Sequence, residues 1–318
     1  MKIFYAAPNL QKLPPGHRFP MEKYELLRLR LANELPACKL NLAPPVTSGQ
    51  LALAHDVEYV NAVFDGKLSQ AQQREIGFPW SHGMVDRARG SSGATLMACR
   101  TALKEGISAN IAGGTHHAYK DRGGGFCVFN DSAVAIRSVQ LEAQRSAPGK
   151  FGSAKVLKVG VIDLDVHQGN GTAKIFESDS SVFTLSVHGA KNYPFRKELS
   201  DLDIELPDEC TDDQYLNALE DALKTFDAHF CPDLIIYLAG ADPYTGDRLG
   251  RLALSMEGLQ SRDKQVFEWA WQRGIPIAFS MAGGYSVPID DTVQININTF
   301  KIAAEYFSKY EFHFDSSA

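Results

Sequence analysis

Three side chains able to hold a metal ion, Asp163, Asp165 and His167, follow directly on the apolar run Val156-Leu157-Lys158-Val159-Gly160-Val161-Ile162. The run reads as a buried strand, and in a strand alternate side chains share a face, so all three are expected on one side at its end. At about 3.3 Å of rise per residue, neighbours in this set stand roughly 6–7 Å apart. Two of them can converge on one cation at ~2.0–2.2 Å, and the third is better placed as an orienting partner. Asp165 and His167 are therefore assigned to the metal and Asp163 to their support.

Three more polar clusters end apolar runs in the same way. Gly113-Gly114-Thr115-His116-His117 follows 107–112, Ala239-Gly240-Ala241-Asp242-Pro243 follows 234–238, and Ala282-Gly283-Gly284-Tyr285 follows 275–281. Each has a plain reading when taken alone: paired loop histidines lie at the surface, an aspartate before proline starts a turn, and a tyrosine packs with its hydroxyl satisfied. Their joint placement says more. Catalytic zinc takes three protein ligands and leaves a position open, and Asp165, His167 and Asp242 supply that number without a thiolate. Two carboxylates cancel the formal charge of Zn²⁺, so bound water is acidified less than by three neutral histidines and a nearby base is needed. His116 and His117 are the candidates. Each needs an acceptor to fix its tautomer, a role open to Asp163 for one and to Asn170, in Gln168-Gly169-Asn170-Gly171, for the other. Tyr285 can donate to the oxygen that turns negative when water attacks a carbonyl. Metal-assisted amide hydrolysis uses all these parts.

The elements that must position them alternate along the chain. Candidate strands at 3–5, 107–112, 156–164, 182–187, 234–238 and 275–281 are separated by amphipathic patterns at 84–104, 131–144, 212–229 and 257–273, with a last one at 291–308. This alternation predicts an α/β fold with a mostly parallel central sheet and helices on both faces, where ligands bind beyond the carboxyl ends of the strands. Nothing in the 318 residues marks a linker or repeat, so one domain over 1–318 is expected. A hydrophobic fraction of 44% and a charged fraction of 22% are those of an ordinary globular protein. No run approaches the ~18 apolar residues of a membrane span, the first residues lack the length of a secretory signal, and a cytoplasmic protein is expected. Five scattered cysteines form no Cys-x-x-Cys pair. The net charge of -6 argues against sequence-independent nucleic-acid binding and would suit a cationic substrate.

From about His17 to Tyr285 the chain resembles the zinc-dependent histone deacetylase family, within the arginase/deacetylase fold. His116-His117, Gly123-Gly124-Gly125-Phe126-Cys127, Asp163-x-Asp165-x-His167-x-Gly169-Asn170-Gly171, Gly240-Ala241-Asp242 with Asp247-Arg248-Leu249-Gly250, and Gly283-Gly284-Tyr285 match its motifs in order. The stretches Gly16-His17-Arg18-Phe19-Pro20-Met21 and Asp121-Arg122-Gly123 look most like the class IV branch and its bacterial relatives. The resemblance implies zinc on Asp165, His167 and Asp242, His117 as principal general base with His116 assisting, and Tyr285 as electrophilic donor. It also implies a structural potassium ion near Asp163, Asp165, His167 and Ser186, and a narrow acyl-lysine tunnel lined by Gly125 and Phe126, with Tyr193 as a candidate for the opposite wall. Ala282 departs from the pattern, standing where many members have glycine.

A lysine deacylase acting on proteins or peptides is the leading expectation. An amidohydrolase of small acetylated molecules such as acetylpolyamines is the alternative, and an acidic rim at the tunnel mouth would favour it. Binuclear manganese chemistry needs more bridging carboxylates than are present, and a non-catalytic metal-binding module would not need Tyr285 and both histidines. Ferrous iron is a credible substitute for zinc at an Asp₂His site. The three successive glycines 123–125 would leave room for a longer acyl chain.

Overall fold

The apolar runs assemble into one eight-stranded sheet in the computed structural model, which describes residues 1–7, 11–146 and 156–314. In chain order the strands are β1 (Lys2–Tyr5), β2 (Lys39–Leu42), β3 (Ile107–Asn110), β4 (Val159–Asp163), β5 (Val182–Gly189), β6 (Leu202–Leu206), β7 (Leu234–Leu238) and β8 (Ile277–Ser280). The helices are α1 (Lys23–Glu34), α2 (Ser48–Leu51), α3 (Val57–Phe64), α4 (Gln70–Ile76), α5 (His82–Glu105), α6 (Asp131–Ser146), α7 (Asn170–Phe176), α8 (Asp212–His229), α9 (Met256–Gln272) and α10 (Ile289–Phe314). All strand pairs are parallel, in the order β2-β1-β3-β8-β7-β4-β5-β6.

Parallel neighbours need long crossovers, and the helices that provide them cover both faces of the sheet. Ile162 and Leu164 turn to one side, where they share a core with Leu27 of α1, Leu219 and Phe226 of α8, Phe267 of α9 and Phe300 of α10. Val159 and Val161 turn to the other, toward Leu96 and Cys99 of α5 and Val134 of α6. β7 divides likewise, with Ile235 and Tyr237 on one side and Leu234, Ile236 and Leu238 on the other. Burial on both faces is why these strands read as unbroken apolar runs.

The sheet order explains how distant motifs meet. The four strands whose ends carry the polar clusters, β3, β8, β7 and β4, are consecutive neighbours at the centre of the sheet. Their carboxyl ends form one continuous rim. The edge strands β2 and β6 and the helices α1, α2, α3, α4 and α7 were not expected from the pattern; β2 is largely exposed and β6 half-exposed, so neither carries an apolar run.

The strand expected at 156–164 begins at Val159 and ends at Asp163, so Asp165 and His167 lie beyond it, in a bent segment. Strand alternation does not bring them together. A ladder of side-chain acceptors does: the Asp165 amide donates to Asp163 Oδ1 (3.2 Å), and the His167 amide donates to Asp165 Oδ1 (2.9 Å).

A buried cation braces this bend from behind. Arg262 of α9 donates from Nη1 to the carbonyls of Leu164 (3.3 Å) and Gly240 (2.6 Å), close before Asp165 and Asp242 in the chain. Its charge is met by Asp263 at 2.7 Å, which also accepts from Tyr237 and Thr299 at 2.5 Å each. Removing one partner of such a buried pair strands the other. Arg262→Met is expected to cost about 3–5 kcal/mol, read as a lower urea midpoint. An unchanged midpoint would show that the brace carries no stability.

Candidate active site

The Asp165 bend, the Asp242 loop and the glycine turn before Tyr285 close on one point. Asp165, His167 and Asp242 are buried, and each offers a ligand atom within 4.8 Å of the others. His167 Nδ1 stands 2.9 Å from Asp165 Oδ1 and 3.2 Å from Asp242 Oδ2. One ring N–H cannot satisfy both carboxylates, and Asp242 Oδ2 is buried without a hydrogen-bond partner. The remaining oxygens are held by backbone: Val166 N donates to Asp242 Oδ1 (2.9 Å) and Gly283 N to Asp165 Oδ2 (2.7 Å). A Cβ on Gly283 would lie 1.9 Å from Asp242 Oδ2, so only glycine lets the chain pass this close to the carboxylates.

The electrostatics describe a site short of positive charge. Burial, then the charge of Asp165, raises the Asp242 carboxyl to about 7. Burial alone would lower His167, but its contacts with Asp165 and Asp242 outweigh this and raise it to about 10. A divalent cation would relieve the carboxylate repulsion, give the orphaned oxygen a partner and displace the imidazole proton. The residues present therefore fit a metal ion.

Beside this point stand the two histidines, each tied at Nδ1. His116 Nδ1 lies 2.7 Å from Asp163 Oδ2, and His117 Nδ1 lies 2.7 Å from Asn170 Oδ1. The two acceptors left open by the sequence are thereby distributed, Asp163 to His116 and Asn170 to His117. The environments push the rings apart. For His116 burial is overcome by Asp163 and Asp165, which raise it to about 9; for His117 burial, then the neighbouring charges of His116 and His167, drive it well below its ordinary value. The imidazole loop itself is held by Asp131 at the start of α6, which accepts from Gly114 N (3.1 Å), Thr115 N (2.7 Å) and Thr115 Oγ1 (2.7 Å).

Tyr285 closes the far side. It is 8% exposed, its ring packs 6.1 Å from both Phe19 and Phe126, and it faces the same cavity as His117 and His167. Burial, then the charges of Asp165 and Asp242, raises its phenol well above the usual range, so it stays a donor. Its turn is fixed by three residues not anticipated in these roles. Asp247 Oδ2 accepts from Tyr285 N (2.5 Å), Arg248 Nε donates to Tyr285 O (3.0 Å), and the buried Lys23 donates to the carbonyls of Ala282 and Gly284 at 3.3 Å each. Asp247 and Arg248 lie in a quoted motif. Lys23, 1% exposed, has no local sequence signal because its partners are remote in the chain. Ala282 sits at φ +49°, in the left-handed region where glycine is favoured, which accounts for the glycine of the expected pattern and leaves the alanine found here strained.

A cavity of about 510 Å³ leads to this centre. Gly125, Phe126 and Tyr193 all line it, and the Tyr193 ring stands edge-on to His117 at 4.8 Å between centroids. The expectation that the glycines 123–125 leave room is met at Gly124, where a Cβ would come no closer than 3.4 Å to Tyr193 Oη, and not at its two neighbours. A Cβ on Gly123 would lie 2.5 Å from Cys127 O, and one on Gly125 would lie 2.5 Å from His117 Cδ2, so both permit close packing rather than space. Ser186, on β5, pairs in register with Asp163 of β4, beside the same strand end.

Comparison with known proteins identifies the family. A family profile described as Histone deacetylase domain matches residues 17–299. An uncharacterised protein of Picosynechococcus is 40% identical over 293 residues, covering 92% of this chain and 94% of that protein. Histone deacetylase 2 of Arabidopsis thaliana is 37% identical over 196 residues, 61% of this chain and 48% of the plant protein. A crystal structure of a histone deacetylase homologue from Aquifex aeolicus superposes with a TM-score of 0.77 at 22% identity, covering 96% of this chain and 84% of that one. Among the described residues no helix is long and apolar enough to cross a membrane. With the profile spanning most of its length and the α/β fold shared, the chain belongs to the histone deacetylase family of hydrolases.

Proposed function

We propose that the protein is a metal-dependent deacylase that removes acyl groups from lysine side chains. The observation that carries this reading is the convergence of three ligand atoms, one of them orphaned, beside two imidazoles whose outer nitrogens are already engaged. Asp165, His167 and Asp242 would hold a divalent ion, zinc or ferrous iron, since the donor set is nitrogen and oxygen only. When bound, that ion supplies Lewis acidity, polarising the amide carbonyl and acidifying water.

The side chains supply the rest. Asn170 Oδ1 accepts from His117 Nδ1, which leaves the lone pair of Nε2 facing the cavity as the site that takes a proton from the attacking water. His116, held by Asp163, assists in returning a proton to the departing amine. Tyr285 directs its hydroxyl at the oxygen on which negative charge grows. Phe126, Tyr193 and the backbone at Gly125 enclose the methylene stem, an apolar lining suited to a long, slim side chain. Asp163 with Ser186 in register opposite it supports a structural potassium ion as part of the same proposal. A small acetylated polyamine is the less suited substrate, because the cavity mouth carries Arg18, Lys191, Arg248 and Arg251 instead of an acidic rim.

The direct test is a panel of acetyl-lysine to long-acyl-lysine peptides and acetylated polyamines, assayed for released amine with the zinc-loaded protein. Turnover of lysine peptides is expected; turnover of polyamines alone would overturn the substrate assignment. Tyr285→Phe should lower kcat by about 10²–10³-fold, as loss of an oxyanion donor does, with metal content unchanged. Normal turnover in that variant would remove the role. Asp242→Ala should abolish stoichiometric metal by elemental analysis, and equal metal in variant and parent would reject the ligand set.

A further inference from the structure

The mouth of the cavity carries a charge opposite to that of the chain as a whole. Arg18, Lys191, Arg248 and Arg251 line it and are all exposed, whereas Glu75 is the one exposed carboxylate among the described residues lining it. Asp208 offsets part of this, lying 3.3 Å from Arg251 and 3.5 Å from Lys191. Arg248 is anchored without being neutralised, because its guanidinium donates to two backbone carbonyls, Tyr285 O at 3.0 Å and Arg18 O at 3.4 Å. The same contact ties it to the Arg18 segment, so two guanidiniums without a carboxylate partner among the described residues share one side of the opening. The net charge is -6, so this excess does not follow from a generally basic composition. Beside it Phe195, 87% exposed, stands 6.4 Å from Tyr193 and offers an apolar surface next to the charge.

Charge of one sign around a cleft with low-dielectric walls focuses the field, raising the local concentration and arrival rate of oppositely charged solutes. Such rim charges act on specificity and association more than on final affinity. A polyamine or a lysine tail rich in further lysines meets repulsion here, while a carboxylate near the acylated amine meets the anchored guanidinium of Arg248 and the exposed one of Arg18. We propose that the mouth selects acyl-amine substrates bearing a carboxylate close to the scissile amide, with the anion docking against Arg18 and Arg248. This rests on the deacylase reading above and narrows its substrate class.

The test compares acetyl-lysine peptides of equal length with Asp/Glu flanks or Lys/Arg flanks, together with acetyl-lysine blocked at its α-amine to leave only its own carboxylate. Binding of labelled peptides to the metal-free protein is read by fluorescence anisotropy, and kcat/KM is read on the zinc-loaded enzyme. Acidic flanks should be favoured by about tenfold at low ionic strength, with the preference shrinking as salt is added. Arg18→Glu should erase or reverse it, and Arg251→Glu, on another segment, should reduce it if the first variant does not fold. Preference for the blocked amino acid over acidic peptides would assign the docking anion to the substrate's own carboxylate; the reverse would assign it to flanking side chains. Equal rates for acidic and basic flanks, or a preference untouched by salt and by both variants, would overturn the proposal while leaving the deacylase reading intact. Acidic preference in anisotropy with no turnover of any acylated amine would support the selective mouth and sink the deacylase reading.

Discussion

Two carboxylates and an imidazole, all buried, face one point with too little positive charge between them, and this unbalanced contact organises everything around it. Taking each carboxylate out of water costs several kcal/mol, recovered only where geometry and hydrogen bonds are good. The scaffold therefore fixes every oxygen it can reach with a backbone amide, from Val166, His167 and Gly283, and leaves Asp242 Oδ2 for a ligand of the site. Arg262 answers from the opposite side of the loops, gripping carbonyls that precede both aspartates. A cation is the counterpart that suits this arrangement: burial and then the Asp165 charge push the Asp242 carboxyl up, and the two carboxylates outweigh burial to push His167 up.

Strain gathers at the same rim. Phe126 at φ +66° and Ala282 at φ +49° both occupy the left-handed region with a side chain, at a cost on the order of 1–2 kcal/mol each. Both line the cavity, one as an aromatic residue of its wall and the other preceding the Tyr285 turn. Phe126 is held by packing against Phe19 (5.3 Å) and Phe78 (5.4 Å), Ala282 by the Lys23 bond to its carbonyl. The rings that define the opening are thus aimed by a backbone that relaxed geometry would not adopt.

Much of this was legible in the sequence where burial and chemistry coincide. β4, β7 and β8 read as apolar runs because they are buried on both faces, and the polar clusters stood out by ending such runs. The edges were not legible. β2, Lys-Leu-Asn-Leu, and β6, Leu-Asp-Ile-Glu-Leu, are exposed or half-exposed and carry no run to recognise. Convergence of Asp165 and His167 was anticipated for the wrong reason, since backbone-to-carboxylate bonds past the strand end achieve what alternation along the strand does not. Lys23 and Arg262 were invisible because a buried cation bonded to carbonyls from remote segments leaves no local pattern. Net charge likewise says nothing about where charge sits, and the cationic mouth emerges only when Arg18, Lys191, Arg248 and Arg251 are brought together by the fold.

The two histidines differ through what stands behind them. His116 leans on Asp163, a carboxylate, which stabilises a charged ring. His117 leans on Asn170, whose amide could point either way unless something fixes it. Asn170 Nδ2 donates to Tyr119 Oη (2.9 Å), and the Tyr119 hydroxyl in turn donates a hydrogen bond to Glu198 (3.1 Å). Because Glu198 can only accept when ionised, the tyrosine must donate outward, the amide must present its NH₂ to the tyrosine oxygen, and its carbonyl is left for His117. The polarity of a half-buried carboxylate three bonds away thus sets which nitrogen of His117 carries the proton. Burial and the neighbouring imidazoles hold the ring with the neutral backing well below its ordinary value, while the charged backing helps to raise the other to about 9, the division of labour that the proposed amide hydrolysis would use.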